Sequence, residues 1–311
     1  MTKFASELPD FADLVRAVAD WKKQRTAIIE KDYYLTRALH ALCSKHAGEF
    51  VLKGGTSLTK GWNLLDRFSE DLDILVRAEA GWGEARRDTR LRAFRDTIAS
   101  TKGLTLDSKD IRTRSERGVS RTAVYLYESV TTDVPGLGRN ILFEAGYRGS
   151  PDQAVKKHIQ SIVADYAAYK GIRDLAEDLS SFEIELQNVR RTFVEKGFAI
   201  HAAYQKDLCN NRMRHYYDLA QLCTLEEIKC YVGTAEYRDS VVDVRNISLK
   251  SFPDQAVPEG NSLSVSPAFT VRAETLEVLE RNYKREAEIF FSEPPSLASI
   301  FGEIAKLLPR L

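Results

Sequence analysis

The chain has no long apolar run of the kind that spans a bilayer, so no membrane-spanning helix is expected. Its first residues, Met1-Thr2-Lys3-Phe4-Ala5-Ser6-Glu7, lack the apolar segment of a secretory leader. Cysteine is scarce. Cys43, Cys209, Cys223 and Cys230 are the four in 311 residues, and none has the paired spacing of a metal site. They read as reduced thiols, which with the missing leader suggests a cytoplasmic protein. His40, Cys43 and His46 recur every three residues on an expected helix, but only two of them share a face well, so zinc is not expected. Net charge is missing too: 45 basic residues balance 45 acidic ones. Indiscriminate capture of nucleic acid by bulk charge is thereby excluded, and any such contact must come from local patches. There is no internal repeat and no low-complexity tract. What is present is 43% apolar residues, enough for a sizeable core in one large domain or two modest ones.

Two neighbouring stretches organise the chain. Phe50-Val51-Leu52-Lys53 reads as a short strand that runs into a Gly54-Gly55 turn, and a helix is expected from Thr56 to Leu65. Ser69-Glu70-Asp71-Leu72-Asp73-Ile74-Leu75-Val76 carries the next strand. Residues two apart on a strand share a face, so the Asp71 and Asp73 carboxylates project together while Leu72 and Ile74 pack behind. Paired carboxylates suit hard divalent cations, which take oxygen ligands. The glycines have no β-carbons to block a ligand, and the helix they open starts with free N–H groups that can bind phosphate. Together these features point to metal-assisted phosphoryl or nucleotidyl transfer. Lys53 and Ser69 stand just outside this core as further candidates.

The remaining pattern frames that core. Helical periodicity covers residues 8–20 and 26–45. The second stretch contains Glu30-Lys31-Asp32-Tyr33, whose charges are expected on a solvated face. A helix rich in arginine (Arg86, Arg87, Arg90, Arg92, Arg95) is expected over 84–101. Leu104 to Leu106 reads as a short strand, and 107–120 as a polar loop with Arg112, Arg114 and Arg117. Strands follow at 121–128 and 140–147, joined through a turn at 134–138. That hairpin beside Asp71 and Asp73 predicts a mixed sheet rather than a repeating parallel fold. Glu144 interrupts the last strand, either as an edge carboxylate facing water or as a third metal ligand or base. Gly149-Ser150-Pro151-Asp152 marks a boundary. Beyond it, apart from a β-like piece at 182–186, the pattern is helical at 190–206, 212–223, 234–250, 271–290 and 295–309. The expected fold is α/β (α+β): a mixed sheet with flanking helices in residues 1–150 and a mainly helical lobe in residues 151–311.

In the second half, Thr192-Phe193-Val194-Glu195-Lys196 and His215-Tyr216-Tyr217-Asp218-Leu219 lie on successive helices joined by a loop at 207–211. Taken alone, Glu195-Lys196 is a charge pair on a helix face, and Arg214 and Asp218 are an i,i+4 pair.

The Gly-Gly turn followed by Asp-x-Asp resembles the minimal nucleotidyltransferase signature. The longer strings Leu52-Lys53-Gly54-Gly55-Thr56 and Ser69-Glu70-Asp71-Leu72-Asp73 are similar to the AbiEii/AbiGii-type family, the nucleotidyltransferase-like toxins of bacterial abortive-infection and type IV toxin–antitoxin systems. That family carries four motifs: the Gly-Gly turn, the Asp-x-Asp strand, a lysine after Thr-x-x-Glu, and an aspartate in a basic-Tyr-x-Asp-Leu helix. All four occur here in order, with Lys196 and Asp218 matching the last two. The chain departs from the family at Gly197, where an apolar residue is usual, and at Asn282-Tyr283 for Asp-Tyr.

The resemblance implies a Mg²⁺-dependent enzyme that moves NMP from NTP to RNA, with the 3′ end of tRNA as the favoured acceptor. It implies Asp71, Asp73, Lys196 and Asp218 as catalytic residues. Lys53, Gly54, Gly55, Thr56, Ser57, Ser69 and Lys196 would bind the nucleotide, and Asp71 and Asp73, with Glu144, the metal. Lys196 would supply counter-charge to the phosphates. Asp218 would orient Lys196, contact base or ribose, or activate the acceptor hydroxyl. The implied partner is a cognate antitoxin of the winged-helix, AbiEi-like kind. The other class in play is a nucleotide-binding or kinase-like toxin without RNA transfer. The arginine clusters are either neutralised runs on solvated faces or the lining of an RNA cleft.

Overall fold

The computed structural model of the chain describes residues 4–131, 137–151, 153–172, 175–206, 213–251, 257–258, 260, 262–270 and 273–311. They fall into two units, residues 1–63 with 68–187 and residues 64–67 with 188–311. The turn expected at 134–138 and the loop expected at 207–211 lie largely outside the described residues.

In the first unit, α1 (Phe11–Lys22) buries a stripe of Phe11, Val15 and Val18, and α2 (Thr26–His46) is buried along most of its first half. β1 (Phe50–Lys53) runs into α3 (Gly54–Thr56), which a π-type turn continues to Gly61. This helix stops short of the expected Leu65 because Asn63 takes a left-handed φ of 49° and ends it. β2 (Asp71–Val76) pairs antiparallel with β1. Then come α4 (Glu84–Ala99), β3 (Leu104–Leu106), β4 (Arg114–Glu116), β5 (Ser120–Tyr127), β6 (Asn140–Gly146), β7 (Val155–Ile159), α5 (Ile162–Tyr169) and β8 (Phe182–Leu186). The strands form one sheet ordered β3-β5-β6-β2-β1-β8-β7, with β4 on β5. β2 is parallel to β6 and β1 to β8, and the other pairs are antiparallel, so the sheet is mixed as expected.

Helices α2 and α4 cover one face. There Phe94 meets Phe50 edge-on at 5.6 Å, Tyr34 stacks on Tyr127 at 4.5 Å, and Tyr125 donates its hydroxyl to the Arg95 carbonyl at 2.8 Å. Phe50 shares its face with Val76 and hence with Leu72 and Ile74, all buried. Asp71 and Asp73 therefore point to the opposite face, where they are half-buried.

Two expectations need correction. The first unit does not end near residue 150 but at Gln187. β7 and β8 extend the same sheet, and the Gln187 N–H donates to the Leu52 carbonyl at 2.9 Å. The strand Val155-Lys156-Lys157-His158-Ile159 sits at the sheet edge, where lysines are usual and hide the apolar alternation. Second, Glu30, Lys31 and Asp32 are not solvated. They are 0, 2 and 3% exposed, because polar partners from distant loops reach them inside the unit.

The second unit is α6 (Val189–Gln205), α7 (Met213–Thr224), α8 (Glu226–Tyr231), α9 (Ala235–Ser251), α10 (Ala273–Arg285) and α11 (Leu297–Leu307). α7 packs on α11 and α6, and α6 also packs on α9. Tyr216 lies 5.2 Å from the Phe301 ring and donates its hydroxyl to the Ala268 carbonyl at 3.0 Å. At Gly197, an added β-carbon would come within 2.5 Å of the tip of the Leu263 side chain, which would have to shift to admit it. Residues 64–67 are strapped on by a bridge between Arg67 and Phe290 and by the Asp66 N–H, which donates to the Tyr217 hydroxyl at 3.0 Å. Among the described residues no helix is long and apolar enough to cross a membrane.

Candidate functional site

Two clusters hold the residues singled out from the sequence, one in each unit. The first lies across β1, β2 and β6. Lys53 stands opposite Asp73 on one side, and Glu144 stands opposite Asp73 on the other. Directly paired residues on neighbouring strands share a face and sit about 5 Å apart. Lys53, Asp73 and Glu144 thus form one row, and Asp71 projects beside it from the start of β2. A cation flanks the carboxylates on the β1 side, and a third carboxylate flanks them on the β6 side.

The Gly-Gly turn is shaped around this row. Gly54 has a φ of +71°, and a β-carbon there would collide with the Asp73 carboxylate. The open space predicted for a ligand at this glycine is filled by Asp73 itself. Thr56 is buried and donates its hydroxyl to the Asp71 carbonyl at 2.5 Å, and Ser57 is buried and donates to the Gly54 carbonyl at 3.0 Å. Both hydroxyls thus tie the turn to the strand that carries the carboxylates. Gly55 lies in the single turn of α3, and Ser69 is half-buried two residues before β2.

Gly54→Ala tests this packing, with Gly81→Ala as its control. Gly81 has a φ of +85° but nothing within 4 Å of an added β-carbon. Both variants should lose about 1–2 kcal/mol of stability to left-handed strain, read by chemical denaturation. Gly54→Ala alone should also lose enzymatic turnover, because it displaces Asp73. Equal turnover in the two variants would remove the packing argument.

Among the described residues, no three or more His, Cys, Asp or Glu side chains are gathered as a metal cage. Glu144 shares face and register with Asp73 but is exposed. Two adjacent carboxylates still fit Mg²⁺ chemistry, because that ion keeps waters and takes substrate phosphate oxygens besides one or two carboxylates.

The arginine runs are largely neutralised by neighbours. Arg90 pairs with Glu49, Arg92 and Arg121 with Asp88, Arg95 with Asp96 and Arg117 with Glu84. Arg112 differs in where its charge reaches. It donates to Asp110 at 3.0 and 2.7 Å, and its pKa is raised first by that bond and further by the charges of Asp71 and Glu70.

The second cluster is centred on Asp218, which is fully buried on α7. Arg67 grips it with two parallel bonds, Nε to Oδ1 and Nη2 to Oδ2, each 2.7 Å. Lys196 of α6 donates to Oδ2 at 2.6 Å, and its Nζ lies 3.4 Å from the His215 Nδ1. Burial alone would push the Asp218 carboxyl up, but Arg67 and Lys196 overcome it and hold the group well below the usual carboxylate range. Both Asp218 oxygens are engaged, and the residue has no solvent-exposed surface. Arg67 escaped the sequence reading. It sits two residues before Ser69 in the motif string, but its partner is 151 positions away, and no spacing rule reaches that far.

The sequence model described as "Nucleotidyl transferase AbiEii toxin, Type IV TA system" matches residues 37–302. Among curated proteins, none matches the chain. Among solved structures, the fold is similar to that of MenT4, a nucleotidyltransferase toxin of Mycobacterium tuberculosis, with a TM-score of 0.59 at 17% identity over 96% of this chain and 90% of that one. A putative nucleotidyltransferase from H. pylori aligns with a TM-score of 0.48 at 14% identity over 90% of this chain and 92% of that one.

Proposed function

The chain belongs to the AbiEii family of nucleotidyltransferase toxins of type IV toxin–antitoxin systems, and on that premise we propose that it moves NMP from an Mg²⁺-bound NTP to the 3′ end of an RNA, with tRNA as the favoured acceptor. The observation that carries the reading is the row across β1, β2 and β6, with the Asp73 carboxylate seated in the space that Gly54 leaves open. An acceptor hydroxyl attacks the α-phosphorus. The bond to the β-phosphate oxygen breaks, pyrophosphate leaves, and the hydroxyl proton passes to solvent. Bound Mg²⁺ would neutralise phosphate charge and orient the leaving group. Asp71 and Asp73 would hold it, with Glu144 as the additional carboxylate on the same face. Lys53 and the Gly54-Gly55-Thr56-Ser57 turn, with Ser69, would shape the nucleotide side. Lys196 would place charge on the phosphates. An ammonium has three N–H donors, and one of them is given to Asp218.

RNA backbone contacts would come from Arg112 and Arg114, positioning one end without reading bases. The cognate antitoxin would be a winged-helix, AbiEi-like protein, and the toxin would act in the cytoplasm, where tRNA is found.

The test supplies purified tRNA, with and without its 3′-terminal nucleotides, together with each NTP labelled at the α- or γ-phosphate. The expected result is α-label in RNA and none from the γ-position. α-Label in a protein or small molecule would reject RNA as acceptor. γ-Label in any acceptor would replace nucleotidyl transfer by a kinase-like reaction. Overexpression should arrest bacterial growth, and Asp71→Ala should relieve the arrest.

A further inference from the structure

Three successive charged residues on α2 grip the loops around the carboxylate row. Successive helical residues point about 100° apart, so Glu30, Lys31 and Asp32 fan out to different segments. The Glu30 carboxylate accepts from the Ser129 hydroxyl at 2.6 Å, the Val130 N–H at 2.7 Å and the Thr131 hydroxyl at 2.6 Å. Asp32 pairs with Lys60 at 2.6 Å, in the turn after Gly54-Gly55-Thr56, and accepts from the Ile162 N–H at 2.8 Å. The Lys31 Nζ donates to Glu70 Oε2 at 2.8 Å and to the Gly138 carbonyl at 3.1 Å. One buried ammonium therefore ties two points together. Glu70 is the residue before Asp71 at the start of β2. Gly138 lies two residues before β6, the strand that carries Glu144.

A buried ion pair is a poor device for stability alone. Its desolvation cost rivals its attraction, and replacing both partners together by apolar groups is often neutral or better. It is a good device for fixing where a backbone starts. Lys31 meets Glu70 at one defined point, and strand register then carries that position into Asp71 and Asp73. We propose that Lys31, acting through Glu70, is a positioning residue that sets the Asp71 carboxylate for its metal. The proposal rests on the reading of Asp71 and Asp73 as the Mg²⁺ ligands. In metalloenzymes generally, groups that orient a ligand from outside are worth about 10–100-fold in metal affinity.

The experiment titrates the full chain with Mn²⁺ in place of Mg²⁺, reading binding by water-proton relaxation, with no nucleotide and no turnover involved. Thermal unfolding is followed in parallel. Lys31→Met should weaken Mn²⁺ binding roughly 10–100-fold and also lower the melting temperature, because it deletes one member of a largely buried ion pair, whereas Glu70→Gln, at the more exposed end, should change it little. Glu70→Gln should weaken the binding similarly, and the double variant should bind Mn²⁺ little worse than either single one, because each of the three breaks the Lys31–Glu70 link through which the effect on Asp71 passes. Should Lys31→Met fail to fold, Glu70→Gln carries the test, since the Glu70 side chain is 24% exposed. Wild-type Mn²⁺ affinity in a folded Lys31→Met or Glu70→Gln overturns the proposal, provided Asp71→Ala removes binding. If wild-type protein binds no Mn²⁺, or Asp71→Ala leaves its binding unchanged, the ligand reading fails, and this proposal falls with it.

Discussion

Asp71→Ala is expected to leave the first unit folded and to abolish nucleotidyl transfer, and Asp73→Ala should do the same. Both side chains are half-buried on the face opposite Leu72 and Ile74, so the core beneath the strand is untouched. The bond from Thr56 goes to the backbone carbonyl of Asp71 and survives the substitution. Stability should shift by about 1 kcal/mol, the central value for a single substitution, because both side chains are half-buried but outside the apolar core. The loss in rate should be far larger. Charge stabilisation by a bound metal is worth several kcal/mol, and about 4 kcal/mol corresponds to roughly 10³-fold. The measurement is incorporation of α-labelled NTP into tRNA beside a denaturation curve of the same protein. Turnover within tenfold of wild type in either variant would end the assignment of the carboxylate pair.

Asp218→Ala should behave in the opposite way and cost the fold as well as the activity. It removes the shared partner of two buried cations, Arg67 at 2% exposure and Lys196 at 6%. Breaking a buried pair by deleting one member costs about 3–5 kcal/mol. That is a large share of the roughly 5–15 kcal/mol that holds a typical domain together. Arg67→Met should be milder, because Asp218 keeps Lys196. The pH dependence follows from the depressed Asp218 carboxyl. A carboxyl lowered in the folded state contributes stability that is fully present above its unfolded value near about pH 4. That contribution drains away as the pH falls through the folded value. The share of stability owed to Asp218 should therefore be flat from neutral pH down to the unfolded value and be lost only in stronger acid. Urea denaturation of Asp218→Ala within 1 kcal/mol of wild type would show that the cluster is not held as described.

What was legible in the chain was whatever depends on near neighbours. The shared face of Asp71 and Asp73 follows from the two-residue period of a strand. Gly54 could be read as a turn because the left-handed backbone there favours glycine, and most helices announced themselves by periodicity. The hairpin of β5 and β6 was also legible, and with it the mixed sheet.

Tertiary structure decided the points at which remote segments meet. Val155 to Ile159 becomes a strand because β8 offers it a ladder, and β8, legible as a β-like piece at 182–186, joins the sheet because β1 has an open edge; no local pattern encodes those pairings. Glu30, Lys31 and Asp32 look like a solvated run, since charge on a helix is normally left in water. Each is instead met by partners 28 to 130 positions away, which offset the cost of burial. Arg67 and Asp218 are the extreme case. Their residue types suit a bidentate pair, yet at 151 positions apart only the folded chain could bring them together. Sequence by itself determined the chemistry-bearing turn and strand, because backbone geometry there is local. Only tertiary structure decided which charges are buried and what holds them, because desolvation and pairing depend on what the rest of the chain brings near.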